Sequence, residues 1–172
     1  MDPILTERLR FRPVTPRDAG RLHVLYRDAT LMRYITGRPR TVAETRARLA
    51  RDLRHHRRHG FGLCVAEWLA TGEVVGRCGI EPVESEGGLQ GEMAWMFKKA
   101  WWGRGLGTES ARALIRFAAE ELRLTRLFAR ADPENHASIA IMERVGMIRV
   151  GLVGRDVEYE MPLEGRASRA PP

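Results

Sequence analysis

Lysine is nearly absent from this chain. Lys98 and Lys99 are adjacent, and arginine makes up the rest of the 29 basic residues. Cysteine is as scarce. Cys64 and Cys78 have no C-x-x-C spacing and lie in strand-like runs, so they read as buried thiols rather than a disulfide or a metal pair. No apolar run approaches the ~18 residues of a membrane-spanning helix. The opening Met1-Asp2-Pro3-Ile4-Leu5-Thr6-Glu7 has neither the basic nor the apolar region of a secretory signal. These absences argue against a membrane protein or a disulfide scaffold and make the cytoplasm the expected compartment. Aromatic residues are also few, at 7%.

What is present is ordinary globular material, 44% hydrophobic and 30% charged over 172 residues, enough for one domain with a proper core. The net charge of +7 suits a polyanionic ligand. Its densest part holds Arg46, Arg48, Arg51, Arg54, Arg57 and Arg58. Aromatic stacking residues are absent there, so the run reads as a solvated helix face, and nucleic acid is not an expected partner.

Residues 9–13 alternate as a strand and stop at Pro13. Thr15-Pro16-Arg17-Asp18 starts a helix, with a threonine cap and proline at the first turn. Residues 28–40 look irregular. Thr41 and Glu44 form a capping box that opens a second helix ending near His59. Residues 61–69 and 73–81 read as a hairpin, 85–88 as a polar loop and 91–97 as a fourth strand. A helix over 106–122, a strand over 126–131, a helix over 138–145 and strands over 147–153 and 157–163 complete the pattern. The domain is expected over residues 6–163, with a frayed tail over 164–172. This order predicts a mixed α/β sheet with helices on both faces.

The most informative stretch is Trp101-Trp102-Gly103-Arg104-Gly105-Leu106-Gly107-Thr108-Glu109. It leaves a strand and opens a helix, so backbone N–H groups and the positive end of the helix dipole converge on one point. Gly103, Gly105 and Gly107 lack a Cβ, which lets a diphosphate approach the backbone. The Gly-Lys-Ser/Thr ending of a P-loop is missing, and the G-x-G-x-G pattern is not a dinucleotide fingerprint.

Four stretches in order resemble the GCN5-related N-acetyltransferases, most closely the ribosomal-protein N-terminal acetyltransferase branch. They are Thr6 to Pro13, Gly72 to Ile80, Trp101 to Glu109, and Pro133-Glu134-Asn135-His136-Ala137-Ser138 with Met142 to Met147. The resemblance implies a mostly antiparallel mixed sheet that splays between its fourth and fifth strands. It implies acetyl transfer from acetyl-CoA, as co-substrate, to an amine by direct attack in a ternary complex. A bulge in the fourth strand would free Trp95, Met96 and Phe97 to pair with the pantetheine arm. Trp102, Gly103, Arg104, Gly105, Leu106, Gly107 and Thr108 would bind the pyrophosphate. Trp102 stands where most of the family has Gln or Arg, although the branch commonly has an aromatic there. Asn135 and Ser138 match positions that contact the CoA arm and thiol. The segment 31–40 and the last hairpin would shape the acceptor site.

Glu92 is the best candidate base, with a solvent-facing or arginine-paired carboxylate as the plainer alternative. Many relatives also carry a fifth-strand Glu, but here that position is Arg130, which could face phosphate or pair with Glu92. Ser138 is the candidate acid for the departing thiolate, or else a cap. Tyr159, on the last strand, is read as remote from the helix that carries Ser138. His136 follows Asn135 and could act as a base, but an exposed loop residue is the preferred reading. His55 and His59 lie four apart on a helix without a third ligand, so no metal site is expected. The acceptor is read as a protein or peptide N-terminus, or alternatively a small-molecule amine. A non-catalytic acyl-CoA-binding module is the rival reading. Either a monomer or a homodimer fits.

Overall fold

Side-chain caps set the starts of three of the five α-helices among the described residues. Thr41 Oγ1 accepts from the Glu44 N–H at 3.2 Å, and the Glu44 carboxylate accepts from the Thr41 N–H at 2.7 Å. This box opens α3 (Val42–His59), which Gly60 closes in the left-handed conformation. Asp28 accepts from the N–H groups of Thr30 and Leu31 and so starts α2 (Ala29–Met32), a single turn inside the segment read as irregular. Ahead of both, α1 (Ala19–Tyr26) follows a short turn of 3₁₀ helix over 16–18. Asp18 ends that turn with no solvent exposure. Its carboxylate accepts from Thr15 N–H and Oγ1 and from both arms of Arg12.

The computed structural model describes residues 1–162. Its sheet comprises β1 (Ile4–Leu5), β2 (Leu9–Pro13), β3 (Leu63–Trp68), β4 (Val74–Ser85), β5 (Gly88–Phe97), β6 (Arg126–Ala131), β7 (Ile148–Val153) and β8 (Asp156–Met161). The strand order is β1-β2-β3-β4-β5-β6-β8-β7, antiparallel throughout except for the β5–β6 pair. The remaining helices are α4 (Leu106–Glu121) and α5 (His136–Arg144). Leu163 and the tail over 164–172 lie outside the described residues, and so does the expected domain end.

The two sheet faces carry separate cores, so the expectation of helices on both faces holds. Phe11, Ile80, Met93, Phe97, Leu127 and Tyr159 pack with Leu114 and Met142 on the α4–α5 side. Leu22, Leu25, Tyr26, Met32 and Leu49 pack against Val65 and Met96 on the other. Side chains alternate across a strand, so Glu92 shares the second face with Met96. Cys64 and Cys78 pair in register across β3–β4 as buried free thiols, as expected.

Several boundaries differ from the sequence reading. β1 is a two-residue edge too short for any period to reveal. The loop expected over 85–88 shrinks to residues 86–87, because β4 and β5 continue pairing to Ser85 and Gly88. Helix α5 begins two residues early, at His136. The run of arginines on α3 is not simply a solvated face. Arg48 is only 8% exposed, because Asp52 one turn on and Glu81 from β4 take its guanidinium at 2.9 and 2.6 Å.

Candidate active site

Parallel pairing between β5 and β6 lasts three rungs: Gln90 with Arg126, Gly91 with Leu127 and Glu92 with Phe128. Beyond Glu92 the strands part, and residues 93–97 pair with β4 alone. This is the splay implied by the family resemblance. The implied bulge is absent, since β5 runs against β4 from Gly88 to Phe97 with no shift in register. The wedge therefore comes from divergence of two regular strands. Met96 and Phe97 are buried and Trp95 is partly so, which leaves backbone as what these residues present to the gap.

A glycine loop lies at the end of β5. The Trp102 indole N–H donates to the Phe97 carbonyl at 2.7 Å and staples the loop to the strand. Arg104 lies over the Trp101 ring, 4.7 Å from its centroid. Gly105 takes φ +77° and is the residue from which α4 starts, with no side-chain cap. Helical geometry leaves the N–H groups of Leu106, Gly107 and Thr108 without intrahelical acceptors. A Cβ at Gly103 would meet nothing within 4 Å, so the space over the loop is open. Gly107 serves packing instead, because a Cβ there would lie 2.5 Å from Ile141 Cδ1 on α5. Leu106 is a core residue. Buried Thr108 accepts from Arg144 Nη1 at 3.2 Å and ties α4 to α5.

The loop has a brace that no sequence motif announces. Arg8 Nη1 donates to the Arg104 carbonyl at 2.9 Å. The Glu109 carboxylate accepts from Arg8 Nε at 2.7 Å, Arg8 N–H at 2.9 Å and Thr6 Oγ1 at 2.6 Å. Burial pushes the Glu109 carboxyl up, but these donors outweigh it and hold it below the usual range. The N-terminal segment and the first turn of α4 are thus fixed to each other.

On α5, Asn135 caps the helix by accepting from the Ser138 N–H at 3.3 Å, which leaves Ser138 in the first turn and partly exposed. His136 is exposed beside it. Tyr159 is not remote from this helix. Its hydroxyl donates to Glu143 at 2.9 Å, toward the C-terminal end, so its proton is already committed.

Glu92 stands at the mouth of the wedge, partly buried, and makes no hydrogen bond or ion pair among the described residues. Burial raises its pKa above the ordinary glutamate value, an effect that Arg130 partly offsets. Arg130 does not pair with Glu92. Its Nε donates to Glu158 at 2.7 Å. Arg126 and Arg130 cover fully buried Phe128 with their guanidinium carbons 4.8 and 4.7 Å from its centroid. His55 and His59 stand edge to face, 6.4 Å between centroids, with no cluster of metal-ligating residues around them among those described.

Comparison with known proteins gives the same assignment from an independent direction. The family described as "Acetyltransferase (GNAT) domain" matches residues 8–148. The chain is 34% identical over 145 residues to the Bacillus subtilis protein YkkB, covering 84% of each. It is 30% identical over 162 residues to the uncharacterized N-acetyltransferase p20 of Bacillus licheniformis, covering 92% of this chain and 88% of that one. Among solved structures it resembles the ribosomal L7/L12 alpha-N-protein acetyltransferase RimL in complex with coenzyme A. That TM-score is 0.78 at 18% identity, with 93% of this chain and 97% of the other covered.

Proposed function

We propose, from the premise that this chain belongs to the GNAT acetyltransferase family, that it moves an acetyl group from acetyl-CoA to a primary amine in a ternary complex. The observation that carries this reading is the parting of β5 and β6 at Glu92 and Phe128, directly before the glycine loop. The residues suit the co-substrate. Free N–H groups at the start of α4 and the open space over Gly103 fit a diphosphate, and the edge of residues 95–97, which has no strand beside it and whose Phe97 carbonyl takes the Trp102 indole, fits the amide groups of a pantetheine arm.

Acetyl-CoA supplies an activated thioester carbonyl. Glu92 takes the proton of the amine, directly or through a water, as the nitrogen attacks the carbonyl carbon. Its raised pKa makes it a stronger base than an exposed glutamate. As the C–S bond breaks, the Ser138 hydroxyl relays a proton to the thiolate and regains one from solvent, to which Glu92 returns the proton it took from the amine. The amine acceptor is an exposed protein or peptide N-terminus in the first instance, and a small amine otherwise. The brief β7–β8 turn over residues 154–155 favours an open groove.

The test is thiol release from acetyl-CoA against a panel of amines and free-N-terminus peptides, for the wild type, Glu92→Gln and Ser138→Ala. Amine-dependent release that falls in both variants supports the assignment. Release unchanged in both removes these two roles. Acetyl-CoA binding with no release from any amine favours a sensing module.

A further inference from the structure

A guanidinium on the α1–α3 side of the sheet lacks a counter-charge. Arg40 follows α2, anchored by its main-chain N–H donating to the Tyr26 carbonyl at 2.8 Å. Its guanidinium lies 5.3 Å from the Tyr26 ring centroid. Its Nε is buried without an acceptor, and none of its side-chain nitrogens makes a hydrogen bond or ion pair among the described residues. Burial lowers its pKa, Tyr26 opposes that, and the cations Arg48, Arg77 and Arg51 lower it further.

The carboxylates close by are already engaged. Arg48 holds Asp52 and Glu81, Arg51 holds Glu81 at 2.8 Å, and Arg77 lies 4.0 Å from Asp52. A guanidinium with a buried nitrogen and no counter-charge is costly, and an anion taken at its Nη groups, which are not buried, offsets that cost. The same face holds the complementary charge. Glu81, which gathers the arginines around Arg40, lies directly opposite Glu92 across β4–β5. Glu92 lacks a cation in contact with it, as Arg40 lacks an anion. A ligand that pairs with both carries an amine and a negative group.

We propose that Arg40 is an acceptor-specificity residue, binding a carboxylate borne close to the reacting amine, so that anionic amines are the preferred acceptors. The inference rests on the transferase reading above. Two sources share this chemistry: a free amino acid, and an N-terminus followed by an acidic residue.

Two matched pairs test it, with acetyl-CoA saturating. They are alanine against alaninamide, and a peptide beginning Ser-Asp against one beginning Ser-Asn. The expected result is a preference of roughly tenfold or more in kcat/KM for the anionic member of one pair, the scale of one charge-assisted hydrogen bond. Which pair shows it identifies the source. In Arg40→Gln the preference disappears while the KM for acetyl-CoA stays put, and Arg40→Lys restores part of it. Acetylation without preference in either pair, or a preference that survives Arg40→Gln, overturns the proposal. If no amine is acetylated, the transferase reading is what fails, and a binding readout still decides the role of Arg40. The Arg40 Nε–H resonance, identified by its loss in Arg40→Lys, is titrated with N-acetylalanine and N-acetylalaninamide. A saturable shift with the carboxylate alone supports the site, and no shift with either overturns it.

Discussion

Glu92 faces Phe128 across the last rung of the β5–β6 ladder, and past that rung the two strands separate. The carboxylate is thereby fixed at the apex of the wedge by main-chain pairing on both sides, with Glu81 opposite it on β4. A base at this point needs no movement of its own strand to meet an amine in the gap. Glu92→Gln is expected to lower kcat/KM by about 10²–10⁴, the usual contribution of a positioned base. In the wild type, kcat/KM rises with pH through an apparent pKa above the ordinary glutamate value, because burial raises it. That acidic limb disappears in Glu92→Gln. A pH–rate profile of both proteins checks this, and an unchanged limb in the variant assigns the titration to another group.

The same burial predicts a stability effect of opposite sign to the catalytic one. A carboxyl whose pKa is raised by folding contributes stability below its ordinary pKa and loses it as pH rises through the raised value. At neutral pH the ionised Glu92 therefore costs stability. Glu92→Gln should melt at a higher temperature than the wild type at pH 7, with the gap closing in the acid range where both side chains are neutral. Thermal melts across that range decide the point, and a lower Tm for the variant at pH 7 contradicts it.

Glu109 shows the reverse linkage. Its depressed pKa contributes stability above the ordinary carboxylate range, and that stability is lost as pH falls through the depressed value. Glu109→Gln is expected to cost about 2 kcal/mol near neutral pH, the scale of losing a charged hydrogen-bond acceptor. The difference from the wild type narrows on acidification. Because Arg8 also holds the Arg104 carbonyl, the KM for acetyl-CoA should rise as well. Denaturant unfolding at two pH values, with initial rates, measures both effects.

Gly105 holds φ +77° where α4 begins, a conformation that costs a non-glycine residue about 1–2 kcal/mol. Gly105→Val is expected to shift the loop and raise the KM for acetyl-CoA, with little effect on the KM for the amine. A variant that kept its acetyl-CoA affinity would show that the loop does not bind the diphosphate.

Local patterns disclosed what local chemistry controls. The Thr41–Glu44 box and Gly60 delimited α3, alternation gave β2, and the glycine spacing placed the start of α4. What was hidden depends on partners distant in sequence. Arg48 read as one of a run of solvated arginines, because the Glu81 that buries it belongs to another element. Tyr159 reaches Glu143 only because the fold brings the two, sixteen residues apart, within hydrogen-bond distance. Arg130 reads as a free partner for Glu92 until the β6–β8 register puts Glu158 opposite it. The bulge came from family likeness alone, and no residue in β5 demanded it. Arg40 lies in the segment that the family resemblance assigns to the acceptor site, but nothing in the sequence singles it out there. Its significance lies in the lack of an acceptor, which only the assembled neighbourhood reveals.

Titration of the full chain with acetyl-CoA in a calorimeter, with desulfo-CoA and Gly105→Val as comparisons, decides whether the wedge and glycine loop hold the co-substrate. One saturable site of micromolar affinity is expected, one that retains desulfo-CoA and is weakened by Gly105→Val. No detectable binding of acetyl-CoA, or binding indifferent to Gly105→Val, would contradict the placement of the co-substrate in this wedge.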